Sequence, residues 1–351
     1  MLLYLYALEQ EAQIFLTSWP RGQEVSSIYV GGGTPTVLVS EELEQVLAVA
    51  SAFPRASTIE WTVEANPGTL TLDKLRVLKA AGVNRLSLGV QSFDDTILTF
   101  LGRTHTGAEA KTAWYNARQV GFDNLNLDLI YAVPGQSLTS WRQTLKEALA
   151  LAPEHISTYS LMIEEGTEFG RRGLTPVSQE LDLAQYEEAQ AVLQKAGLCQ
   201  YEISNFACPG FSCRHNLVYW YNEPYLGLGP SATSYLAGER RTNVRNVSEY
   251  VQCLNQGRLP VADRESATPE LARAETVILS LRLREGLSRR RFRERFGQDI
   301  GDVYSEAIHR LTEYNLVTMD EDSLRLTDKG LPLANQVAMA FLPNNPSVKG
   351  Q

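Results

Sequence analysis

The sequence predicts an α/β protein: a run of parallel strand–helix units followed by a smaller α+β domain. Three observations carry this. Short apolar or β-branched segments alternate with segments of helical period from about residue 27 to residue 163. The strand candidates run into glycine-rich or polar turns, GGGTP, EANP and QSFD among them. From about residue 176 the alternation stops, and helices are followed by a hairpin. Alternation at this spacing requires parallel strands joined by right-handed crossovers. A barrel and an open doubly wound sheet both satisfy it, and in either one function sits at the carboxyl ends of the strands.

The elements read as follows. Leu5, Leu8, Ala12, Phe15 and Leu16 give an amphipathic first helix. Ser27–Val30 is a strand entering Gly31-Gly32-Gly33, and Glu41–Ala50 is a helix capped by Ser40 with an acidic first turn. Thr58–Ala65 is a strand stopped by Asn66-Pro67-Gly68, and Leu72–Ala81 is a helix closed by Gly82. Strand Asn84–Val90 precedes helix Ala108–Val120, closed by Gly121. Strand Asn124–Tyr131 leads through Pro134-Gly135 to helix Ser140–Leu151, and His155–Ile163 is the last strand of the series. Helix Asp182–Ala196 and strand Tyr201–Phe206 follow, then an ordered loop over 208–240 rich in aromatics, Gly and Asn. Helices from Thr268 to about Leu283, over Ser288–Phe296 and over Val303–Tyr314, with a hairpin of Leu316–Met319 and Ser323–Leu326, outline a winged helix. The expected division is a barrel core over 1–175, a connecting region over 176–264, a winged-helix domain over 265–343 and a flexible tail over 344–351.

Composition narrows the function classes. Hydrophobic residues make up 44% of the 351, enough for a core. The net charge of −9 argues against a dedicated nucleic-acid or anionic-membrane binder. No apolar run is long enough to span a bilayer, and the N-terminus lacks a basic n-region, so a cytoplasmic location is expected. The four cysteines, Cys199, Cys208, Cys213 and Cys253, are expected as free thiols.

Chemistry-bearing residues collect at the strand ends. Gly31-Gly32-Gly33-Thr34-Pro35 reads equally as a tight turn and as a loop offering bare backbone groups to a ligand. Glu64 ends an otherwise apolar strand, where a carboxylate accepts from a ribose diol, binds a cation or is simply solvated. Gln91 is a polar orienting amide or a cap, and Arg103 pairs with a ligand carboxylate or the solvent. Asp128 interrupts NLNLDLIY at a position that points into a barrel or onto a helix layer, which is costly for a carboxylate unless it is paired or ligand-bound.

GGGTP, VEANPG, RLSLGVQSFD, LGRTH, GFDNLNLDLIYAVPGQ, CRHNLVYW and YLGLGPSA, in this order from about Leu5 to Pro343, resemble the HemW family. These are radical S-adenosylmethionine heme chaperones related to oxygen-independent coproporphyrinogen III oxidase. The resemblance implies a partial (β/α)6 barrel, lacking its first strand here, with a C-terminal winged-helix-like α+β domain. It implies that Gly32, Gly33 and Thr34 hold the methionine amino group, and that Glu64 and Gln91 contact the cofactor. Arg103 would meet its carboxylate, Asp128 its ribose and Met162 its adenine. His215, Tyr219 and Trp220 of the HNxxYW motif would meet heme. The implied cofactors are S-adenosylmethionine, heme and, in full-length members, a [4Fe–4S] cluster. The implied partners are client hemoproteins, respiratory ones among them, with peripheral contact to membrane-associated clients, a homodimer as a further expectation, and no nucleic acid.

The family's Cys-x3-Cys-x2-Cys cluster loop has no counterpart in this sequence, because none of the four cysteines precedes residue 199. Two expectations follow: an N-terminally truncated chain, favoured because the cofactor residues are intact, or a cluster-less paralogue with a binding role only. In both, no reductive cleavage of S-adenosylmethionine is expected of the chain as written, and the Ser27–Val30 strand has an open edge. Thr233 stands where the family often has a histidine, which weakens the expectation for heme. Cys208, Cys213 and His215 form a weak zinc pattern without a fourth ligand. His105, His155 and His309 read as structural or surface residues. Arg289, Arg290, Arg291, Arg293 and Arg295 read as a solvated face with acidic neighbours rather than a nucleic-acid patch. The leading function is a heme chaperone, and the alternative is a coproporphyrinogen III oxidase-like enzyme.

Overall fold

A computed structural model describes residues 1–343, so the expected tail over 344–351 lies outside the described residues. By contacts the chain forms two units. One comprises Glu24–Gln200 and Ser204–Cys213; the other comprises Met1–Gln23, Tyr201–Ile203 and Arg214 onward.

The first unit is built on seven strands, β1 (Val25–Val30), β2 (Arg55–Ala65), β3 (Arg85–Gln91), β4 (Leu125–Tyr131), β5 (His155–Ser160), β6 (Cys199–Gln200) and β7 (Asn205–Ala207). Their order is β1-β2-β3-β4-β5-β7-β6, curled as a half-barrel. β1 to β5 are parallel and β7 runs antiparallel to β5. The partial barrel expected from the resemblance is therefore the fold found, and β1 lies at its edge. Helices Ser40–Ser51, Leu72–Ala81, Gly107–Val120 and Leu138–Ala150 make the crossovers. Their apolar faces bury Leu43, Leu75, Trp114 and Trp141 against Trp61, Val63, Leu86 and Leu127 of the sheet. β3, RLSLGVQ, alternates in sequence yet is buried nearly throughout: Leu86, Leu88 and Val90 pack in the hydrophobic core, while Arg85, Ser87 and Gln91 are buried polar residues.

Local signals act as read in several places. Gly82 and Gly121 close their helices with φ of 98° and 95°. Thr106 and Glu109 form a capping box, a start signal one turn more specific than the sequence reading gave. Ser40 differs: it is the first helical residue, and Val39 is the N-cap with no side-chain bond. The strand expected over His155–Ile163 stops at Ser160, and Met162 lies in the turn beyond it.

The second unit holds the N-terminal helix Leu2–Thr17 and a three-stranded sheet of β8 (Thr233–Leu236), β9 (Glu239–Asn243) and β10 (Val261–Ser266). Buried Glu11 ties that helix down, accepting from Gly229 N at 2.8 Å and Asn243 Nδ2 at 2.7 Å, and from the Tyr250 hydroxyl. The expected loop over 208–240 instead contains a helix, Arg214–Trp220, and the β8–β9 hairpin. The hairpin turns on Ala237 and Gly238, both at positive φ, the two-residue turn that tight hairpins favour. The C-terminal part pairs β11 (Leu287–Ser288), β12 (Val317–Met319) and β13 (Ser323–Leu326) beside helices Pro269–Ser280, Arg289–Phe296 and Ser305–Glu313. Val277, Phe292, Ile308, Leu324 and Phe341 form its core. The helix expected over Val303–Tyr314 is broken at Tyr304, whose φ of −124° and ψ of 29° are not helical. The strand expected over Tyr201–Phe206 is reduced to β7, because Glu202 bridges Leu283 and belongs to the second unit.

Candidate functional site

The carboxyl ends of β1 to β5 surround a hollow of about 410 Å³. Gly33, Thr34, Glu64, Gln91, Arg103 and Asp128 line it, together with Tyr29, Ala65, Asn66, Ser87, Gly89, Ile130 and Tyr159. Six of the eight cofactor residues named from the sequence thus meet in one place. Gly32 stands just outside and donates its N–H to Glu64 Oε2 at 3.3 Å. Met162 does not line the hollow and is 76% exposed.

The glycine loop owes its course to Glu64. A Cβ on Gly31 would sit 2.6 Å from Glu64 Cδ and 2.7 Å from the Tyr29 ring, closer than atoms pack. The Tyr29 hydroxyl donates to Glu64 Oε1 at 2.8 Å. Lys74 Nζ donates to Thr36 O at 2.6 Å and Thr69 O at 3.1 Å, locking the loop after β1 to the loop after β2. Gln91 ends β3 at a φ of 67°, the left-handed region that costs a non-glycine residue about 1–3 kcal/mol and collects at ligand sites.

Charge in the hollow is poised for a ligand. Burial, with the Asp128 carboxylate nearby, raises the Glu64 pKa, and bonds from Tyr29 and Gly32 hold it back. Burial likewise raises Asp128, against bonds from Ser87 and Asn126 and the Arg85 charge. Burial lowers the Arg103 pKa, opposed by Asp128. Two carboxylates and one guanidinium, in a hollow opened by glycines, complement an amino-acid zwitterion joined to a ribose. The donor set fits S-adenosylmethionine. Among the described residues no group of three or more His, Cys, Asp or Glu side chains is placed to hold a metal ion. Cys213 of the weak zinc pattern instead donates to Glu60 Oε1 at 3.4 Å.

The HNxxYW motif lies on the helix Arg214–Trp220, in the second unit. Its spacing sets His215 and Tyr219 one turn apart, and His215 Nε2 meets the Tyr219 hydroxyl at 3.0 Å. Tyr225 packs edge-on against Tyr219 at 4.7 Å. An imidazole among aromatic rings suits a porphyrin iron, with the Tyr219 hydroxyl as a competitor for its nitrogen. Trp220 packs under Arg282, 4.5 Å from the ring centroid. Thr233 opens β8 and its hydroxyl pairs with Thr242 at 3.0 Å. The arginine-rich helix is largely engaged internally. Arg289 and Arg293 share Asp299, Arg290 pairs with Glu294, and Arg295 donates to Asn222 O and the Tyr235 hydroxyl.

Sequence reasoning missed Tyr29, Ser87, Asn66 and Tyr159 in the hollow. Tyr29 and Glu64 are near neighbours by register, since Tyr29 pairs with Thr62, two residues before Glu64. A tyrosine two residues before a glycine loop was the available signal.

The half-barrel and its acidic, glycine-lined hollow define a protein of the radical S-adenosylmethionine type. Residues 5–148 match the family model "Radical SAM superfamily", and 267–333 match "HemN C-terminal domain". The heme chaperone HemW of Bacillus subtilis is 39% identical over 348 residues, 97% of this chain and 91% of that protein. HemW of Lactococcus lactis is 36% identical, covering 97% of this chain and 89% of its own. The solved structure of coproporphyrinogen III oxidase (HemN) from Escherichia coli superposes with a TM-score of 0.84 at 26% identity, covering 96% of this chain and 82% of that one. This chain belongs to the HemW family. Among the described residues no helix is long and apolar enough to cross a membrane.

Proposed function

We propose that the protein is a heme chaperone that binds S-adenosylmethionine in the hollow and heme at His215, and delivers the heme to hemoproteins. The observation that carries the reading is the convergence of Gly33, Thr34, Glu64, Gln91, Arg103 and Asp128 on one hollow in a chain of this family. Bound S-adenosylmethionine supplies a cationic amino group, a carboxylate and a ribose diol. The glycine loop and Glu64 bind the amino group, Arg103 the carboxylate and Asp128 the diol. Gln91, held in its strained conformation, orients the ligand between them. Tyr29 keeps the Glu64 carboxylate turned toward the loop. At the second site His215 ligates the iron, and Tyr219 and Trp220 flank the porphyrin.

Titrating the purified protein with hemin is expected to give a saturable Soret band that weakens in His215→Ala. A spectrum that never saturates, or is the same in both proteins, removes the chaperone reading. The structural likeness to HemN favours porphyrinogen decarboxylation as a second reading. Anaerobic consumption of coproporphyrinogen III by a version carrying the family's Cys-x3-Cys-x2-Cys loop would favour that one.

A further inference from the structure

The half-barrel interior carries a polar row where an apolar one would fold more easily. Asn126 and Asp128 lie two residues apart on one face of β4. The register sets Ser87 of β3 and His155 of β5 on either side of Asn126, and Ser157 beside Asp128. Ser87, Asn126, His155 and Ser157 are all at most 3% exposed. Burying four polar side chains costs free energy unless each is bonded, so their arrangement is restrictive.

The bonds run in one direction. An ionised Asp128 only accepts, so the Asn126 atom 2.9 Å from its Oδ1 is the amide nitrogen. That nitrogen also donates to Ser87 Oγ at 2.7 Å, which sends the Ser87 proton to Asp128 Oδ2 at 2.9 Å. The Asn126 carbonyl then faces the other way, toward Ser157 Oγ at 3.2 Å and His155 Nδ1 at 2.6 Å. His155 Nδ1 must therefore carry its proton. Burial, with the Arg85 guanidinium nearby, holds the His155 pKa well below the usual imidazole range, so the ring is neutral and confined to one tautomer.

We propose that Asn126 is the positioning residue that aims the Asp128 carboxylate into the cofactor hollow, and that His155 fixes Asn126 through its Nδ1–H. The proposal rests on the reading of Asp128 as the ribose acceptor. Neither Asn126 nor His155 lines the hollow, so each acts through Asp128.

The test measures binding of S-adenosylhomocysteine and of its 2′-deoxyribose analogue to the full chain by calorimetry. The wild type is expected to bind the analogue about tenfold more weakly, the size of one hydrogen bond to a charged group. In Asn126→Ala and His155→Phe that ratio is expected to fall toward one, and His155→Gln, which keeps a donor, is expected to restore it. A tenfold ratio retained in both variants overturns the positioning role, even if both bind every ligand less well. A ratio near one in the wild type overturns the ribose reading of Asp128, and the proposal with it. Should the variants fail to fold, ¹⁵N spectra of histidine-labelled wild type decide: an Nδ1-protonated His155 supports the chain of donors, and an Nε2-protonated ring with bare Nδ1 overturns it.

Discussion

The Tyr29 hydroxyl and the Glu64 carboxylate meet at 2.8 Å directly over Gly31, whose missing side chain is what lets them meet. The relationship joins the first two strand ends of the half-barrel through one hydrogen bond and one vacancy. Gly31→Ala is accordingly expected to push Glu64 off the loop. Overpacking of this kind costs about 1–3 kcal/mol. Calorimetry with S-adenosylhomocysteine should show a loss of roughly tenfold or more in affinity. Unchanged binding would mean that Glu64 can leave the loop without consequence.

Affinity for S-adenosylmethionine should depend on pH through Glu64. The ligand's ammonium group prefers the ionised carboxylate. Burial raises the Glu64 pKa, so affinity is full above that raised value and is lost as pH falls through it. Tyr29 lowers this pKa by donating to the carboxylate. Tyr29→Phe should therefore move the midpoint of the affinity–pH curve upward. A midpoint that stays fixed would detach Glu64 from the amino group.

Arg103 has no acidic partner in a salt bridge among the described residues, although it lines a hollow with two carboxylates. Arg103→Ala should weaken S-adenosylhomocysteine by about 1.5–3 kcal/mol, the usual size of a charge-assisted bond. Methylthioadenosine, which lacks the carboxylate, should bind both proteins alike. Equal losses for the two ligands would assign Arg103 a purely structural part.

Glu11 makes a contrasting case, because its carboxylate receives three donors and faces no ligand. Glu11→Ala strands Gly229 N–H, Asn243 and Tyr250, and should destabilise by about 1–3 kcal/mol. Burial raises the Glu11 pKa in the native state. Stability from its protonation is full below the unfolded value and is lost as pH rises through the native one. The urea midpoint difference between wild type and variant should thus be larger at about pH 5 than at about pH 8. A difference independent of pH would place the unperturbed pKa in the native state.

At the HNxxYW helix, the Tyr219 hydroxyl meets the His215 nitrogen to which the proposed function assigns the heme iron. Tyr219→Phe removes that competitor, and hemin affinity should rise by several-fold, about the net worth of one neutral hydrogen bond. A fall in affinity would make the hydroxyl part of the heme site instead.

Much of this was legible in the sequence because the half-barrel is governed by local rules. β2 to β5 each announce themselves as short runs rich in apolar and β-branched residues, and Gly82 and Gly121 mark helix ends by backbone geometry alone. Glu64, Gln91 and Asp128 stood out because polar residues interrupt those runs near their carboxyl ends, where parallel strands bring side chains together. Tyr29 did not stand out, since a tyrosine in a strand looks like core, and only register shows that it reaches Glu64. The strand expected through Ile163 stops at Ser160, two residues before Met162, which is exposed. The helix Arg214–Trp220 and the β8–β9 hairpin hid within a glycine- and aromatic-rich stretch because both are short and owe little to periodicity. The bonds of Glu11 were invisible, as they join residues more than 200 positions apart.

That last separation has a bearing on how the protein is made. Glu11 leaves the ribosome 218 residues before Gly229, its first partner. At about 5–20 residues per second, the N-terminal helix waits roughly 10–45 s for its seat to be synthesised. The half-barrel can assemble in that interval, while Leu5, Ala7 and Leu8, buried in the finished molecule, remain uncovered. The nascent helix thus spends that interval with its apolar face open to solvent, where a holding chaperone would have something to bind.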